Sequence, residues 1–410
     1  MGAIDLLLSV LLYLVLVRVN LAWAPVQWRI PLFTLTNLLG IWYFFYTVPT
    51  PLKGFIILIC YIFLVGAQFV ILASFVNRGN DLFWIAFLMP LLVLVGIKYF
   101  PWIFAPASHL LGQRLMTGLP TYFIGLSYLA FRTSYLAIEV RRGTIKRPGF
   151  WEYMGFSFFV PTMSVGPINL YSEFQKGFGP VPDRTELPLG RSMLRVLVGW
   201  TKFMFLANLC NQLSYNGLLL DGHPHHKLDL VVAASFYYLY LYCNFSGFCD
   251  IAIGVAGLLG FPVQENFNNP LFARNMQDFW NRWHITLSRW FRDIVFTPLT
   301  KWLAGRFGVA HLNLLIAISI FSVFLLVGIW HGVGWNFVVY GVVNGLGLVV
   351  VHYYGIGLKK WLGKEGYSRY MKNMWVQSLA VMLTFFYISA CLFFFANNFS
   401  TMSKIFSILY

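Results

Sequence analysis

The stretch from Phe307 to Leu358 contains no Asp, Glu, Lys or Arg, and no other feature constrains the fold of this chain as much. It can hold two membrane crossings of about 20 residues each, which we predict at 311–330 and 333–356. The whole chain of 410 residues has the same character, because 59% of its residues are hydrophobic and only 10% are charged, against roughly 25% in an average soluble domain. This composition excludes a soluble globular fold, so lipid must be the solvent for much of the surface.

Apolar stretches of similar length recur along the chain and predict an all-α integral membrane protein. We predict about ten crossings, near residues 3–17, 30–49, 54–77, 82–97, 115–138, 196–220, 228–260, 311–330, 333–356 and 375–397. The stretches 101–111 and 156–170 are interrupted by proline, so we expect re-entrant or buried irregular backbone there. No internal repeat divides the chain, and we predict one polytopic domain over residues 1–410.

Basic residues outnumber acidic ones, 29 Lys and Arg against 14 Asp and Glu, for a formal charge of +15. Many gather at 141–147, 274–306 and 359–372, segments that the positive-inside tendency orients towards the cytoplasm. In a chain of bilayer-length apolar runs, this excess indicates topology and contact with anionic lipid rather than with nucleic acid. We predict a multi-pass protein of the inner (cytoplasmic) cell membrane with no nucleic-acid partner.

Metal binding is not favoured by the cysteines or by the histidine cluster. The five cysteines lie mostly in apolar stretches and form no CxxC pair, so buried thiols are the simplest interpretation. His223, His225 and His226 in GHPHHK could ligate a metal, but a solvated loop is favoured because Asp221 and Asp229 are the only nearby carboxylates. We predict no metal site.

His331 stands in the middle of the uncharged stretch, in LLVGIWHGVGWNF. A polar side chain at membrane depth is costly, so this histidine must either bridge two helices or serve a function. An imidazole titrates near neutral pH and can remove a proton from a hydroxyl, which makes His331 a candidate general base. The glycines at 328, 332 and 334 leave room for a substrate or for a neighbouring helix.

A second histidine lies in residues 275–299, which we predict to form one amphipathic helix at the membrane interface or under the helical bundle. At helical spacing its apolar face carries Trp280, Trp283, His284, Leu287, Phe291 and Ile294. On the other face, Asp278 is four residues from Arg282, and Arg289 four from Asp293, which suits ion pairs. His284 is either a satisfied interfacial histidine or part of a site for an anionic donor that Arg282 and Arg289 would attract.

The polar residues Asn244, Ser246 and Asp250 interrupt the apolar run 241–261. Asp250 could orient a histidine or bind a cation, or it could pair with an arginine or accept backbone N–H groups. Ser246 and Cys249 are possible nucleophiles, but no GxSxG elbow surrounds them, so direct transfer is favoured over a covalent acyl-enzyme.

Five motifs together resemble the membrane-bound O-acyltransferase (MBOAT) family, in the bacterial branch of alginate O-acetyltransferases and the D-alanyl transfer protein of teichoic acid systems. They are GLSYLAFRTSYLAIEVRRG (125–143), VPTMSVGPINLYSEF (160–174), YCNFSGFCDIAIGVAGLLGF (242–261), NFNNPLFARNMQDFWNRWHITLSRWFRD (266–293) and GIWHGVGWNFVVYG (328–341). The resemblance implies a family core at 115–356, less specific N-terminal helices at 1–114 and a C-terminal helix at 375–397. It also implies a ring of about ten to eleven transmembrane helices, with re-entrant and amphipathic helices, around a central tunnel.

In this family the histidine of the WHG segment is regarded as catalytic, which implies a catalytic role for His331. The histidine of the RWH segment corresponds to His284, which implies a second catalytic residue on the donor side of the same tunnel, where it would position the donor or assist proton movement. Both motifs match residue by residue, whereas the segments after Asp293 and after Ile168 depart from the acetyltransferase pattern and leave the subfamily open.

The resulting hypothesis is transfer of a D-alanyl or acetyl group from a cytoplasmic thioester across the membrane to a hydroxyl of an extracytoplasmic polysaccharide or relay partner. The donor would be an acyl carrier protein phosphopantetheine or coenzyme A, with no permanently bound cofactor. Trp280, Trp283 and Trp330 would line an apolar passage, Asn336 would help to stabilise the oxyanion, and Asp250 and Ser246 would contact substrate.

Two other classes of function remain open on the residues alone. A proton-coupled transporter or flippase would use the same intramembrane histidines as a relay and would need no thioester. A non-catalytic membrane scaffold would tolerate replacement of both histidines.

Overall fold

The structure is a computed structural model that describes residues 3–46, 51–78, 81–100, 125–179, 189–220 and 223–410. These residues form helices joined by short turns, and none of them belongs to a β-strand. The helices are α1 (Ala3–Trp23), α2 (Val26–Ile41), α3 (Pro51–Arg78), α4 (Asp81–Tyr99), α5 (Leu126–Arg141), α6 (Phe150–Ser157), α7 (Tyr171–Phe174), α8 (Leu189–Trp200), α9 (Ala207–Gln212), α10 (Lys227–Leu259), α11 (Met276–Arg282), α12 (Ile285–Phe291), α13 (Thr297–Phe307), α14 (Leu312–His331), α15 (Trp335–Lys372), α16 (Met374–Ala396) and α17 (Phe399–Ser407).

Within the described part of the chain, seven helical segments are long and apolar enough to cross a membrane. They are Gly54–Ser74, Leu82–Tyr99, Leu189–Leu219, Lys227–Leu259, Val309–His331, Trp335–Lys372 and Met374–Ala396. Each corresponds to a crossing predicted from the sequence, which confirms an all-helical, multi-pass membrane protein. The predicted crossing at 30–49 changes to π-helical geometry at Trp42–Tyr46, and the one at 115–138 begins outside the described residues. The number of ten to eleven helices, the ring and the tunnel stay predictions.

The described residues divide into two compact units, Met1–Val198 with Cys249–Gln264, and Gly199–Phe248 with Glu265–Tyr410. The single-domain organisation stays a prediction. In the first unit, the core is a packed group of phenylalanine rings around Phe33, which lies 5.0 Å from Phe261 and 5.1 Å from Phe178 between ring centroids. Gly177 faces the ring of Phe261 so closely that a Cβ would overlap it, and glycine therefore permits this packing.

The irregular backbone predicted at 156–170 is confirmed, whereas the stretch 101–111 lies outside the described residues. After α6 ends at Ser157, the chain continues through a short 3-10 turn, Val160–Thr162, and irregular backbone that is largely buried. Buried carbonyl groups need hydrogen-bond donors, and the fully buried guanidinium of Arg132 donates to the carbonyls of Phe156 (3.0 Å) and Thr162. Irregular backbone is thus stabilised by protein groups in place of water.

In the second unit, α14 and α15 form a close antiparallel pair, and α16 packs on α15. The close approach depends on glycine, because a Cβ on Gly328 would overlap the Phe337 carbonyl and would come within about 3 Å of Gly341. The glycines of the WHG segment therefore leave room for a neighbouring helix, one of the two roles that the sequence predicted. Room for a substrate stays a prediction.

The prediction of one amphipathic helix over 275–299 is wrong. The segment forms two short helices, α11 and α12, which are interrupted at Trp283 and His284 and followed by a π-helical turn, Arg292–Phe296. The interruption arises because backbone around Phe267 pairs with Trp283: Asn268 N–H donates to the Arg282 carbonyl (2.9 Å). The predicted apolar face is nevertheless buried on both sides of the break, because Trp280, Trp283, His284, Leu287 and Phe291 are all buried and Ile294 is half-buried.

Candidate functional site

His331 is the last residue of α14, at the point where the chain leaves the helix. Gly332 is extended and α15 begins at Trp335, so the imidazole lies in a tight connection between two apolar helices. Three aromatic rings contact it: Trp330 at 4.5 Å, Phe395 at 5.0 Å and Tyr340 at 5.6 Å between ring centroids. Contacts from α15 and α16 therefore restrict the orientation of the imidazole.

Asn336, the predicted oxyanion donor, is buried in the first turn of α15. Its Nδ2 donates to the carbonyl of Phe394 in α16 at 3.0 Å, and its Oδ1 lies directly over Gly334. One of its N–H groups thus holds the His331 connection against α16. The oxyanion role of Asn336 stays a prediction, in which the second N–H of the amide would donate to the oxyanion.

His284 has a backbone conformation that is rare for a residue other than glycine. With φ 45° and ψ 52° it lies in the left-handed region, between α11 and α12. Hydrogen bonds on both sides stabilise this geometry, because Ile285 N–H donates to the Asn266 carbonyl (3.0 Å) and Asn268 N–H to the Arg282 carbonyl (2.9 Å). Non-glycine residues in this region cluster at functional sites, which makes the strained turn a functional candidate.

The Asn266 side chain determines which nitrogen of the His284 ring carries a proton. Its Oδ1 accepts the Thr286 N–H (3.2 Å) and the Thr286 hydroxyl (2.9 Å), and a backbone N–H can only donate, so this atom is the oxygen. His284 Nδ1 lies 3.1 Å from the same oxygen and must therefore donate to it. In the neutral ring, Nε2 is then the unprotonated nitrogen.

Burial keeps the His284 imidazole neutral. The side chain is buried in the second unit, and removal from water lowers the pKa of His284 from 6.5 to about 3. A neutral ring with an unprotonated Nε2 can accept a proton or a hydrogen bond at physiological pH. It provides no fixed positive charge for an anionic donor.

A single aromatic cluster contacts both histidines. His284 packs edge-on against Phe245 (4.8 Å between ring centroids), which adjoins the buried core that contains Trp280, Trp283 and Tyr340. Tyr340 and Phe395, the neighbours of His331, belong to or pack against the same core. The structure therefore brings His284, His331, Trp280 and Trp283 to one part of the second unit.

Trp280 also lines a cavity of about 230 Å³ between α11, α12, α14 and α15. The walls are mostly apolar, and their polar side chains include Ser288, Arg292 and His352, together with Gln277 and Asn281. The Trp280 indole N–H has no hydrogen-bond partner among the described residues. Neither His284 nor His331 lines the cavity.

The predicted basic and acidic residues of this segment have local partners. Arg282 donates to Asp278 at 2.7 Å, which confirms that ion pair, and Asp293 lies 4.0 Å from Arg292. Arg289 is partly exposed in the last turn of α12. Trp330 is also partly exposed, next to His331.

Asp250 lies in the first unit, where its carboxylate accepts from Arg195 at 3.0 and 3.1 Å. This contact matches the ion-pair interpretation that the sequence left open. Ser246 belongs to the second unit, and its buried hydroxyl has no hydrogen-bond partner among the described residues. No group of three His, Cys, Asp or Glu side chains suited to a metal ion occurs in the described ranges, and His225 lies 3.4 Å from Asp229.

Four residues of these contacts were not predicted from the sequence: Asn266, Tyr340, Phe395 and Arg195. Asn266 lies in the segment NFNNP, but its contact with His284 depends on a pairing between two segments that helical periodicity does not reveal. The available signal was a group of three asparagines, Asn266, Asn268 and Asn269, after an apolar helix.

Comparison with known proteins matches residues 70–395 to the MBOAT, membrane-bound O-acyltransferase family. A teichoic acid D-alanyltransferase of Bacillus subtilis is 30% identical over 308 residues, which cover 74% of each chain. One of Streptococcus thermophilus is 30% identical over 272 residues, 64% of this chain and 65% of the relative. A peptidoglycan O-acetyltransferase of Helicobacter pylori is 32% identical over 224 residues, 52% of this chain and 39% of the relative.

The matched region contains both histidines, the aromatic cluster around them and the cavity at Trp280. The match and the names of the relatives confirm the predicted class of enzyme, an acyltransferase of the membrane. The chain belongs to the membrane-bound O-acyltransferase family.

Proposed function

We propose that this protein transfers a D-alanyl group from a cytoplasmic thioester to a hydroxyl of an extracytoplasmic cell-envelope polymer, in the inner membrane. The observation that carries this proposal is the similarity to the D-alanyltransferase of Bacillus subtilis, because it extends over 74% of both chains. The donor would be the phosphopantetheine thioester of an acyl carrier protein. The acceptor would be a teichoic-acid-like polymer or a relay partner.

In this proposal His331 is the general base. Its imidazole removes the proton of the acceptor hydroxyl while the hydroxyl oxygen attacks the thioester carbonyl carbon. The tetrahedral intermediate then expels the thiolate, which takes the proton from the imidazolium, and an ester remains. The three aromatic rings around His331 support this role because they restrict the orientation of the imidazole.

The donor would approach from the side of His284. The cavity at Trp280 has Arg292 and Ser288 in its walls, which suits a pantetheine arm with a phosphate at one end and an amide-bearing chain. The neutral His284 would accept a hydrogen bond from the donor through Nε2, or would assist proton movement. The unpartnered Trp280 N–H would donate to an amide carbonyl of the arm.

The test is acyl transfer by the purified full-length protein in proteoliposomes with radiolabelled D-alanyl carrier protein. The variant His331→Ala should lower product formation by about 100-fold or more, as loss of a general base does. His311→Gln is the matched control, because His311 is exposed at the opposite end of the same helical segment. Full activity of a folded His331→Ala protein would exclude His331 as the base.

Acetyl transfer is a second candidate, because the Helicobacter pylori relative is named a peptidoglycan O-acetyltransferase. The same proteoliposomes supplied with acetyl-coenzyme A would distinguish the two donors. Ester formation from acetyl-coenzyme A alone would replace the D-alanyl proposal, and no acyl product from either thioester would favour a transporter.

A further inference from the structure

The C-terminal part of α15 folds back on the helix and encloses a second cavity. Gly363 has φ 67°, in the left-handed region, and this residue reverses the direction of the chain. As a result, the hydroxyls of Tyr354 and Tyr370 lie 2.8 Å apart, although a straight helix would separate these positions by about 24 Å. The sequence predicted only a crossing that ends at 356 and a basic loop after it.

The cavity has a volume of about 420 Å³, within the range of small-molecule sites. Its walls combine apolar side chains of α15 and α16, among them Val351, Leu358, Val376 and Ala380, with polar groups. The polar groups include Arg274, His352, Tyr354, Lys359 and Tyr370, together with one asparagine and two glutamines. An occupant must therefore be amphiphilic.

The cavity is lined by two basic side chains, Arg274 and Lys359, and by no Asp or Glu. Neither cation has an ion-pair partner among the described residues, and the nearby Asp278 accepts instead from Arg282. Lys359 Nζ lies over the ring of Tyr367, 5.2 Å from its centroid, which holds the ammonium on one side. Two unpaired cations at one cavity attract an anion.

Further polar atoms are available to that anion. In the Tyr354–Tyr370 pair one hydroxyl donates to the other, so the acceptor hydroxyl retains a hydrogen for a third group. His352 Nε2 is buried and has no hydrogen-bond partner in the described part of the chain. The free hydroxyl hydrogen suits a phosphate oxygen, and His352 Nε2 does so in the tautomer that carries the proton there.

Exposed tryptophans indicate where this cavity lies with respect to the membrane. Trp361 in α15 and Trp375 in α16 are 81% and 78% exposed and lie close in sequence to the cavity residues Lys359 and Val376. Tryptophan concentrates at the level of the lipid headgroups, where one part of the ring is apolar and the other is wet. Such a position of Trp361 and Trp375 would put the cavity at the headgroup level.

We propose that this cavity binds an anionic phospholipid. The lipid phosphate would lie between Arg274 and Lys359 and accept from the tyrosine pair, and an acyl chain would follow Val351, Leu358 and Ala380. A basic pocket between transmembrane helices at the cytoplasmic face is the arrangement that recognises such headgroups. The bound lipid would hold the folded-back segment of α15 against α16.

The experiment measures binding of phosphatidylglycerol and of phosphatidylcholine to the detergent-purified full-length protein by native mass spectrometry. The wild type should prefer phosphatidylglycerol by about tenfold, and Arg274→Ala/Lys359→Ala should abolish that preference. Arg306→Ala/Lys364→Ala is the control, because it removes the same charge from exposed residues that do not line the cavity. It should keep the preference.

A second variant tests the apolar wall without changing charge. Ala380→Phe should narrow the cavity and weaken phosphatidylglycerol binding by about tenfold. This variant keeps the proposal testable if Arg274→Ala/Lys359→Ala does not fold. Equal loss in the cavity and control double variants, or no lipid preference in the wild type, would overturn the proposal. If inorganic phosphate displaced phosphatidylglycerol as effectively as the lipid itself does, the site would belong to a free anion. If Arg274→Ala/Lys359→Ala lost binding of the acyl carrier protein and kept binding of phosphatidylglycerol, the site would belong to the acyl donor.

Discussion

The Nδ1 atom of His284 lies 3.1 Å from the Oδ1 atom of Asn266, and the same oxygen accepts the N–H and the hydroxyl of Thr286. One amide oxygen thus stabilises the left-handed turn at His284 and selects the tautomer of its ring. If the donor site lies at His284, Asn266 is a positioning residue. The unprotonated Nε2 is available only while this contact lasts.

Replacement of Asn266 should therefore affect both stability and chemistry. Asn266→Ala leaves buried donors of His284 and Thr286 without an acceptor, and we expect a loss of about 1–3 kcal/mol in the free energy of unfolding. Acyl transfer should fall at the same time. Thermal unfolding in detergent and initial rates in proteoliposomes measure the two effects.

The variant Asn266→Asp tests whether Asn266 acts on the reaction through His284 or only stabilises the fold. A carboxylate can accept from the same donors, but its negative charge should raise the pKa of His284 and move the acidic limb of the pH–rate profile to higher pH. A stable Asn266→Asp protein with an unchanged pH profile would show that His284 does not take part in the reaction.

The low pKa of His284 predicts a dependence of stability on pH. The unfolded side chain binds a proton below 6.5, whereas the folded one does so only near 3. The unfolded state therefore holds more protons between these values, and the free energy of unfolding should fall as pH falls from 6.5 towards 3. The thermal midpoint over this range measures the slope.

His284→Gln is the control for that slope, because glutamine does not titrate and can still donate to Asn266. The dependence should become shallower in this variant. If the wild type and His284→Gln showed the same dependence of stability on pH, His284 would bind its proton at the same pH in the folded and unfolded states.

The family and the multi-pass helical fold could be predicted from the sequence. His331 could be selected as a candidate in the same way, because charges are so scarce that one histidine in an apolar run is conspicuous, and its catalytic role stays a prediction. Burial of Trp280, Trp283 and His284 was also predictable from helical periodicity. The break at His284 was not, since it depends on backbone pairing with Phe267 and neighbouring residues, which no local pattern encodes.

The reversal at Gly363 was equally hidden. Its flanking residues, from Lys359 to Lys372, have the composition of a solvated basic loop, and only the contact of Tyr354 with Tyr370 reveals a folded-back helix. For Asp250, the sequence offered an arginine partner as one alternative but could not identify Arg195, which is distant in sequence.

Gly332 should be intolerant of substitution because of the Phe337 ring. A Cβ at Gly332 would overlap this ring, so Gly332→Ala must shift either Phe337 or the His331 connection. We expect a loss of about 1–3 kcal/mol in stability, as overpacking typically causes, together with reduced acyl transfer. Gly357→Ala is the control, because nothing lies within 4 Å of a Cβ there, and it should be neutral or slightly stabilising.

The Arg195–Asp250 pair should support the fold of the first unit rather than the reaction. The two side chains are 29% and 15% exposed, and the contact is made through both Nε and a terminal nitrogen of the guanidinium. Asp250→Asn and Arg195→Gln should each lower the thermal midpoint, and a double-mutant cycle should give a coupling of about 1 kcal/mol, near the upper end for partly exposed pairs.

The double variant should retain most of its acyl-transfer activity because it removes both charges together. A fully stable Asp250→Asn protein without acyl-transfer activity would contradict the structural role and support contact of Asp250 with the substrate.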